Sequence, residues 1–335
     1  MVYRRSAERK RGLGWAGFCA VLWLSVAGRA EAAGTGLLFV SNEKSNTITV
    51  LEKDGTLVES IPTCGRPRGM IFSADRERFF VACGDDSIIA IYDVRTRKLS
   101  GRIRDVPAPE TFDLHPDGRR LYVSNEEDAS LSVYDVTTGE LLEEYYTGEE
   151  PEGVLITADG RRTFVASEAA NLVHVVDTEA REVIADIVTD TRPRRFAITP
   201  DQKELWVSAE LAGMVDIIDV ATLRIIGDLR FRPTGFRAEQ VTPVDLLITA
   251  DGSRAYVTLG RANHVAVVDV RQRKVLDYLL VGNRPWGLAL SADEKWLYVT
   301  NGLSDDLSII DTENLKVVKS VPVGAIPYGI LVDDR

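Results

Sequence analysis

The apolar positions of the chain fall into one unit that recurs seven times. Each unit has a short apolar core ending in valine, a polar loop, and a second apolar run that ends in an acidic residue. This residue is Asp in six of the seven copies and Glu in the first. The seven valines, separated by 41, 42, 42, 42, 50 and 42 residues, are Val40, Val81, Val123, Val165, Val207, Val257 and Val299. A period near 42 with four strand signals per unit predicts an all-β fold, a seven-bladed β-propeller of four-stranded antiparallel blades.

The composition of the strands and turns supports this fold. Runs such as Val265-Ala266-Val267-Val268 are apolar on both faces, as expected for a blade packed between two neighbouring blades. The first two strands of several units are joined by Asp-Gly turns, as at Asp117-Gly118, where glycine accepts the positive φ of a tight hairpin.

The two ends of the repeat predict how the ring closes. No inner strand precedes Leu38, and the last apolar run, residues 327–332, has no partner strands after it. We therefore expect the C-terminal inner strand to join the three N-terminal strands in one blade, so that no propeller edge stays free. Residues 33–335 are predicted to form a single domain.

Residues 1–32 lie outside the repeat and have the pattern of a cleaved signal peptide. Basic residues at positions 4, 5 and 9–11 precede an apolar stretch over 13–26, and Ala30-Glu31-Ala32 places small residues at the cleavage point. About 14 apolar residues are too few to span a bilayer. We expect an exported, periplasmic protein without a membrane span. Arg4-Arg5 leaves both the twin-arginine and the general secretory route open.

The charge disfavours nucleic acid as a partner. The net charge is −11, and loss of residues 1–32 would leave 34 basic and 49 acidic residues, a charge of −15. Such a surface repels phosphate backbones. The exception would be one contiguous basic patch made by Arg66, Arg68, Arg192, Arg194, Arg195 and Arg284.

Two cysteines remain after the predicted cleavage, Cys64 and Cys83. The repeat places them near the same face of one blade, so in an oxidising compartment they are candidates for a disulfide. Two buried free thiols are the alternative.

The candidate site lies where the inner strands begin. A proline precedes each inner strand, and the residue after it should lie nearest the channel mouth: Arg68, Glu110, Glu152, Arg194, Val244, Trp286 and Tyr328. Arg284, Glu168 and Glu210 are expected on the same face. Arginines, glutamates and aromatics in one ring can bind a compact polar or aromatic ligand. The alternative is that these residues only cap the blades and solvate the face.

Signals for catalysis or metal binding are weak. The sequence has no Gly-x-Ser-x-Gly elbow, P-loop or His-Glu-x-x-His motif. The three histidines, His115, His174 and His264, occupy different repeat positions, which disfavours a shared metal site. A calcium ion at the mouth is a further hypothesis, with oxygen ligands from Asn42, Asn125, Glu152 and Asn301.

One irregular spacing marks an insertion of about eight residues around positions 231–240. Loops that depart from a repeat often carry function, so this segment is either a functional loop or a drifted surface loop.

The Tyr-Val-Ser/Thr-Asn cores and the Pro-x-Gly strand starts resemble the YVTN family of β-propeller repeats over almost all of residues 33–335. Longer stretches are similar to the branch called PQQ-dependent catabolism-associated β-propeller proteins, namely 150–153, 205–210, 260–263, 278–282 with Trp286, and 301–304.

This resemblance implies an exported, non-enzymatic binding or scaffold protein that assists PQQ-linked alcohol oxidation or its associated transport. Its implied partner is a PQQ-dependent dehydrogenase or a transporter component. The resemblance does not imply that the chain itself binds PQQ, and it supplies no catalytic residues. Two alternatives stay open: a propeller lactonase or similar hydrolase with a metal or histidine at the mouth, and a nucleic-acid or cell-surface interaction propeller.

Overall fold

The computed structural model describes residues 34–335, which form seven four-stranded antiparallel sheets. Inner strands of successive sheets contact one another, and the last contacts the first, so the sheets are the blades of a closed ring. The predicted seven-bladed propeller is confirmed. The predicted signal peptide lies outside the described residues.

The strands are numbered in chain order and given from the inner to the outer strand of each blade. Blades 1 to 4 contain, in turn, β28 (Pro327–Asp333), β1 (Leu37–Asn42), β2 (Thr47–Glu52) and β3 (Leu57–Pro62); β4 (Pro67–Phe72), β5 (Arg78–Cys83), β6 (Ile88–Asp93) and β7 (Leu99–Arg104); β8 (Pro109–Leu114), β9 (Arg120–Asn125), β10 (Ser130–Asp135) and β11 (Leu141–Tyr146); β12 (Pro151–Ile156), β13 (Arg162–Ser167), β14 (Leu172–Asp177) and β15 (Glu182–Val188).

Blades 5 to 7 follow the same order. They contain β16 (Pro193–Ile198), β17 (Glu204–Ala209), β18 (Met214–Asp219) and β19 (Arg224–Arg230); β20 (Pro243–Ile248), β21 (Arg254–Leu259), β22 (His264–Asp269) and β23 (Lys274–Leu280); β24 (Pro285–Leu290), β25 (Trp296–Asn301), β26 (Asp306–Asp311) and β27 (Lys316–Pro322). Two short 3₁₀ helices occur in the connections, at Ala238–Gln240 and Gly260–Ala262.

Blade 1 closes the ring as the termini predicted. Strand β28 pairs antiparallel with β1, with Leu38 opposite Val332 and Val40 opposite Ile330. The first and last strands of the propeller therefore share one sheet, and β1 is paired on both of its edges.

The core lies between blades, which explains the strands that are apolar on both faces. Tyr256 of blade 6 packs in one cluster with Leu297 and Val299 of blade 7, and all three are buried. Outer strands are more solvated, and Leu57, Leu99 and Leu141 near their starts are exposed.

The hairpins between inner and second strands have the predicted geometry. Gly118, Gly160 and Gly252 have φ values of +70°, +72° and +67°. Arg76 and Gln202 adopt the same left-handed conformation at the equivalent position, with φ of +55° and +60°. Glycine is the preferred residue there because it has no Cβ to strain, but the turn does not require it.

A side-chain hydroxyl on the second strand joins each blade to the next in five of the seven blades. These hydroxyls donate to the carbonyl of the residue after the proline in the following blade: Ser41 to Arg68, Ser124 to Glu152, Ser208 to Val244, Thr258 to Trp286 and Thr300 to Tyr328, at 2.6–2.9 Å. The same oxygens accept a backbone N–H from the inner strand of their own blade. Blades 2 and 4 have Ala82 and Ala166 at this position. We call this set the hydroxyl relay.

The insertion at 231–240 packs on the fold. Phe231 is buried, and Phe236 packs partly buried against the core shared by blades 5 and 6. The Phe236 ring meets His264 edge-on at 5.4 Å between ring centres, and the backbone N–H of Arg232 donates to the Tyr278 hydroxyl. The extra residues thus extend the apolar core at the outer side of these two blades.

A disulfide joins Cys64 and Cys83, whose Cα atoms are 5.7 Å apart. The repeat accounts for their proximity. In blade 1 the equivalent residues are Gly324 and Asn42, and there the Gly324 N–H donates to Asn42 Oδ1 at 3.1 Å. Blade 2 therefore has a covalent bond where blade 1 has a hydrogen bond.

Replacing both cysteines by serine should lower the free energy of unfolding by about 3 kcal/mol, because the disulfide closes a loop of 19 residues in the unfolded chain. Urea denaturation without reductant measures this difference. Reductant should destabilise the wild type by a similar amount and leave the double variant unchanged. Equal stability of both proteins in oxidising buffer would contradict the expectation.

Ser208→Ala should lower the free energy of unfolding by about 1–3 kcal/mol, because it leaves the Val244 carbonyl and the Arg195 N–H without a partner. The reciprocal variant is Ala166→Ser, which adds a hydroxyl where the relay is interrupted and should not destabilise the protein. If Ser208→Ala is as stable as wild type in the same denaturation assay, the relay has no energetic role.

Candidate functional site

The residues at the channel mouth are positioned by the segment that leads into each inner strand. Residues before the proline take positive φ values, which are +52° at Arg66, +66° at Arg192 and +55° at Arg284. The backbone N–H of each is held by an asparagine Oδ1 from a preceding blade: Asn46 for Arg66, Asn171 for Arg192 and Asn263 for Arg284, at 3.1, 2.8 and 2.9 Å. These hydrogen bonds fix the backbone from which the three arginine side chains extend at the mouth.

Neighbouring inner strands approach so closely that most have glycine two residues after the proline. A Cβ at Gly153 would lie 2.1 Å from the Arg194 carbonyl oxygen, and one at Gly287 would lie 2.3 Å from that of Tyr328. Three blades instead have Thr111, Arg195 and Asp245 here. These three departures place polar side chains just inside the mouth.

The predicted ring is present and its charged members interlock. Arg194 is the centre of one half, because it contacts a carboxylate with each of its three guanidinium nitrogens. Its Nη2 lies 3.0 Å from Glu152, its Nε 3.0 Å from Glu168 and its Nη1 3.0 Å from Glu210. All four side chains are buried. Removing Arg194 would take away the cation that these three buried carboxylates share.

The other half of the ring is built on Arg66 and Arg68. Arg66 Nη2 lies 2.9 Å from Glu110 and 3.1 Å from Glu126. Arg68 pairs with Glu110 and with Glu43, whose Oε2 lies 3.1 Å from the Arg68 Nε. The six arginines considered as a nucleic-acid patch are thus interleaved with glutamates and do not form a bare basic surface.

Tyr328 closes the channel across its width. Its hydroxyl donates to Glu152 Oε1 at 2.5 Å and accepts a hydrogen bond from Arg195. Tyr328 is in blade 1, whereas Glu152 and Arg195 are in blades 4 and 5, three places away around a ring of seven. Arg68 also lies over the Tyr328 ring, 4.7 Å from its centre. Residues far apart in the chain therefore meet on the channel axis.

A cavity of about 260 Å³ lies on the channel axis next to this closure, and all seven inner strands contribute to its wall. Its polar side chains are those of Thr111, Arg195, Asp245, Trp286 and Tyr328, and apolar residues such as Phe196 complete the wall. Trp286 and Tyr328 meet edge-on at 5.2 Å between ring centres. Val244, the aliphatic member of the ring, is also part of the wall. A guanidinium, a carboxylate and two aromatic rings around a small space suit a compact, polar ligand.

The network sets the protonation of its own members. Burial opposes ionisation of Glu152, but the charges of Arg194, Arg195 and Arg68 outweigh it and hold the pKa of Glu152 well below its usual range. Burial raises the pKa of Glu168 to about 8, and the negative charge of Glu152 adds to this effect. Burial also raises the pKa of Tyr328 to about 12.

The histidines lie apart from the mouth network in three different blades. His115 Nε2 contacts the Gly160 carbonyl at 3.0 Å, and His174 Nε2 accepts the Gly148 N–H at 2.8 Å. His264 Nδ1 contacts the Ala262 carbonyl at 2.5 Å. Within residues 34–335, no cluster of three or more His, Cys, Asp or Glu side chains is arranged to hold a metal ion.

The asparagines proposed as calcium ligands are buried inside their blades. Their Nδ2 groups donate to the third strand of the same blade: Asn42 to Thr49, Asn125 to Ser132 and Asn301 to Ser308, at 2.9, 2.6 and 2.9 Å. Within the described chain none of the three hydrogen-bonds to Glu152. The calcium hypothesis stays a prediction.

The sequence prediction of the site lacks the two charged residues of the cavity wall. It omits Asp245, and it includes Arg195 only in the basic patch. Both replace the glycine of the Pro-x-Gly pattern, and this departure is the signal that could have found them. Burial raises the pKa of Asp245, and the positive charge of Arg195 offsets part of this increase.

The fold and this mouth define a seven-bladed β-propeller whose channel is closed by side chains at one end. Residues 124–299, just over half of the chain, match the Choice-of-anchor I domain, and the chain belongs to this family. A comparison with curated protein sequences found no match.

Solved structures share the propeller fold. The hydrazine synthase of Kuenenia stuttgartiensis is 25% identical over 78% of this chain and 88% of that chain, with a TM-score of 0.70. The periplasmic gluconolactonase PpgL of Pseudomonas aeruginosa is 20% identical over 89% of this chain and 99% of that chain, with a TM-score of 0.76. The second likeness shows the fold alone. In the described part of the chain, no helix has the length and apolar character needed to cross a membrane.

The raised pKa of Glu168 predicts a pH dependence of stability. Between about pH 4.5 and 8 the folded protein keeps a proton that the unfolded chain releases, so the free energy of unfolding should fall as pH rises through this range. Glu168→Gln should reduce the slope by at most about 1.4 kcal/mol per pH unit. Urea denaturation at a series of pH values measures it. The exposed Glu179→Gln is the control, and identical slopes for wild type and Glu168→Gln would contradict the assignment.

Proposed function

We propose that the protein is an exported, non-enzymatic binding propeller that acts as an accessory protein in PQQ-linked alcohol catabolism or its associated transport. Its binding site is the channel mouth with the cavity next to it. The link to PQQ-dependent systems rests on the sequence resemblance, and so does a PQQ-dependent dehydrogenase or transporter component as partner. Export rests on the signal-peptide pattern of residues 1–32.

The observation that carries the binding role is the trans-channel contact of Tyr328 with Glu152 and Arg195. It fixes aromatic and charged groups of opposite blades around a small cavity. Such a preformed, concave, partly aromatic space is the usual form of a small-molecule site.

The protonation states favour binding over catalysis. A general acid or base works best with a pKa near the working pH. Glu152 is held anionic by its arginines, and burial keeps the Tyr328 hydroxyl protonated. Glu168 has a pKa in a suitable range, but its side chain is buried behind Arg192 and Arg194. These groups orient a ligand better than they transfer protons to it.

The lactonase alternative is supported only by the shared fold with gluconolactonases. It requires a histidine or metal on the channel face. The histidines of the described chain bond to backbone groups elsewhere in the blades.

Isothermal calorimetry of the purified protein with PQQ, calcium, short alcohols and aldehydes tests the proposal. A ligand at 100 times its Kd should raise the free energy of unfolding by about 2.7 kcal/mol, which a thermal-shift assay detects. Tyr328→Phe removes the hydroxyl and keeps the ring, so it should weaken binding by about tenfold or more.

Tyr146→Phe is the matched control, because Tyr146 is 81% exposed on an outer strand. In the native host, Tyr328→Phe and Trp286→Ala should slow growth on alcohols, while Tyr146→Phe should not. If no compound binds, and both mouth variants support normal growth, the binding role is refuted. Capture of a dehydrogenase or transporter component that depends on neither residue would favour a scaffold surface elsewhere.

A further inference from the structure

Two buried N–H groups on one side of the mouth have neither a hydrogen bond nor an ion pair. They are Nε of Arg284 and Nε1 of Trp286. The two residues flank Pro285 at the start of blade 7, and the Arg284 guanidinium carbon lies 5.7 Å from the centre of the Trp286 ring. Buried polar groups in native proteins almost always have partners, so two such donors in one corner require an acceptor.

Arg284 also has little compensation for its charge. Its only acidic partner is Glu210, at 3.3 Å from Nη2, among the described residues. Glu210 is shared with Arg192 and Arg194, which approach it at 3.1 and 3.0 Å. One carboxylate thus serves three guanidinium groups. By contrast, Arg68 has three acidic neighbours.

The electrostatic surroundings also disfavour the positive charge of Arg284. Burial lowers the pKa of Arg284, and Glu210 offsets only part of this. The positive charges of Arg194, Arg261 and Arg192 lower the pKa further. Arg261 is exposed in the 3₁₀ helix Gly260–Ala262 of the preceding blade. A bound anion would satisfy the free donors and reduce the repulsion among the arginines.

We propose that the corner formed by Arg284 and Trp286 is an anion subsite, and that the ligand of this propeller is a small organic carboxylate with a planar or apolar body. The carboxylate oxygens accept hydrogen bonds from Arg284 Nε and Trp286 Nε1. The body of the ligand enters the adjoining cavity, whose wall includes Trp286, Leu288 and Ile330. This inference names the ligand class for the proposed binding role and rests on it.

Benzoate and benzamide are suitable probes, because they have the same shape and differ in charge. The readout is the indole ¹H–¹⁵N resonance of Trp286 in the full protein, assigned by its loss in Trp286→Phe. Benzoate should shift this resonance saturably and bind about tenfold or more tightly than benzamide. Arg284→Gln should remove most of this preference while leaving the affinity for benzamide nearly unchanged.

Two controls make the test specific. Arg271→Gln removes an exposed arginine from the turn between the third and outer strands of blade 6 and should leave benzoate binding unchanged. The indole resonance of Trp296, on β25, should not move.

Three results would overturn the subsite: no shift with benzoate, formate, acetate or inorganic phosphate; equal affinity for benzoate and benzamide; or benzoate binding that survives Arg284→Gln. The comparison of the two probes on wild type stands even if the variant fails to fold. Specific benzoate binding together with normal growth of Arg284→Gln on alcohols would leave the subsite intact and refute the accessory role.

Discussion

The site depends on the hydroxyl relay, which is the contact that fixes one inner strand relative to the next. In blade 7, the Thr300 hydroxyl accepts the Gly287 N–H of its own blade and donates to the Tyr328 carbonyl of blade 1. Since the same hydroxyl bonds to both strands, it sets the height of one ring residue relative to its neighbour at five of the seven junctions between blades. Glycine at the adjacent position allows the strands to approach that closely.

This fixed spacing makes the long-range contacts of the mouth feasible. Tyr328 reaches Glu152 and Arg195 across the channel because the inner strands hold all three at nearly the same level. Blade 4 lacks a hydroxyl at Ala166, and there Arg194 contacts Glu152 and Glu168 of that same blade. Ion pairs thus connect blades 4 and 5 where the relay is interrupted. Buried ion pairs add little net stability, because the cost of desolvating the charges offsets their attraction.

The charges are balanced unevenly around the ring, in two groups that share Glu210. Around Arg194, three carboxylates share one guanidinium, and the pKa of Glu168 is raised. Around Glu210, three guanidiniums share one carboxylate, and the pKa of Arg284 is lowered. Aromatic rings follow on the basic side. A ligand that binds here would be oriented by this polarity, because its anionic group and its body meet different surroundings.

The sequence by itself determined the seven blades, the closure of blade 1 and the seven residues that follow the prolines at the mouth, because apolar periodicity and turn chemistry are local and repeat every 42 residues or so. It also placed Cys64 near Cys83 but left their bonding open. Only the tertiary structure decided which ring members touch. The contact of Tyr328 with Glu152 spans 176 residues, and no local pattern encodes it. The same holds for the free donors of Arg284 and Trp286, since an unpaired group is defined by everything around it.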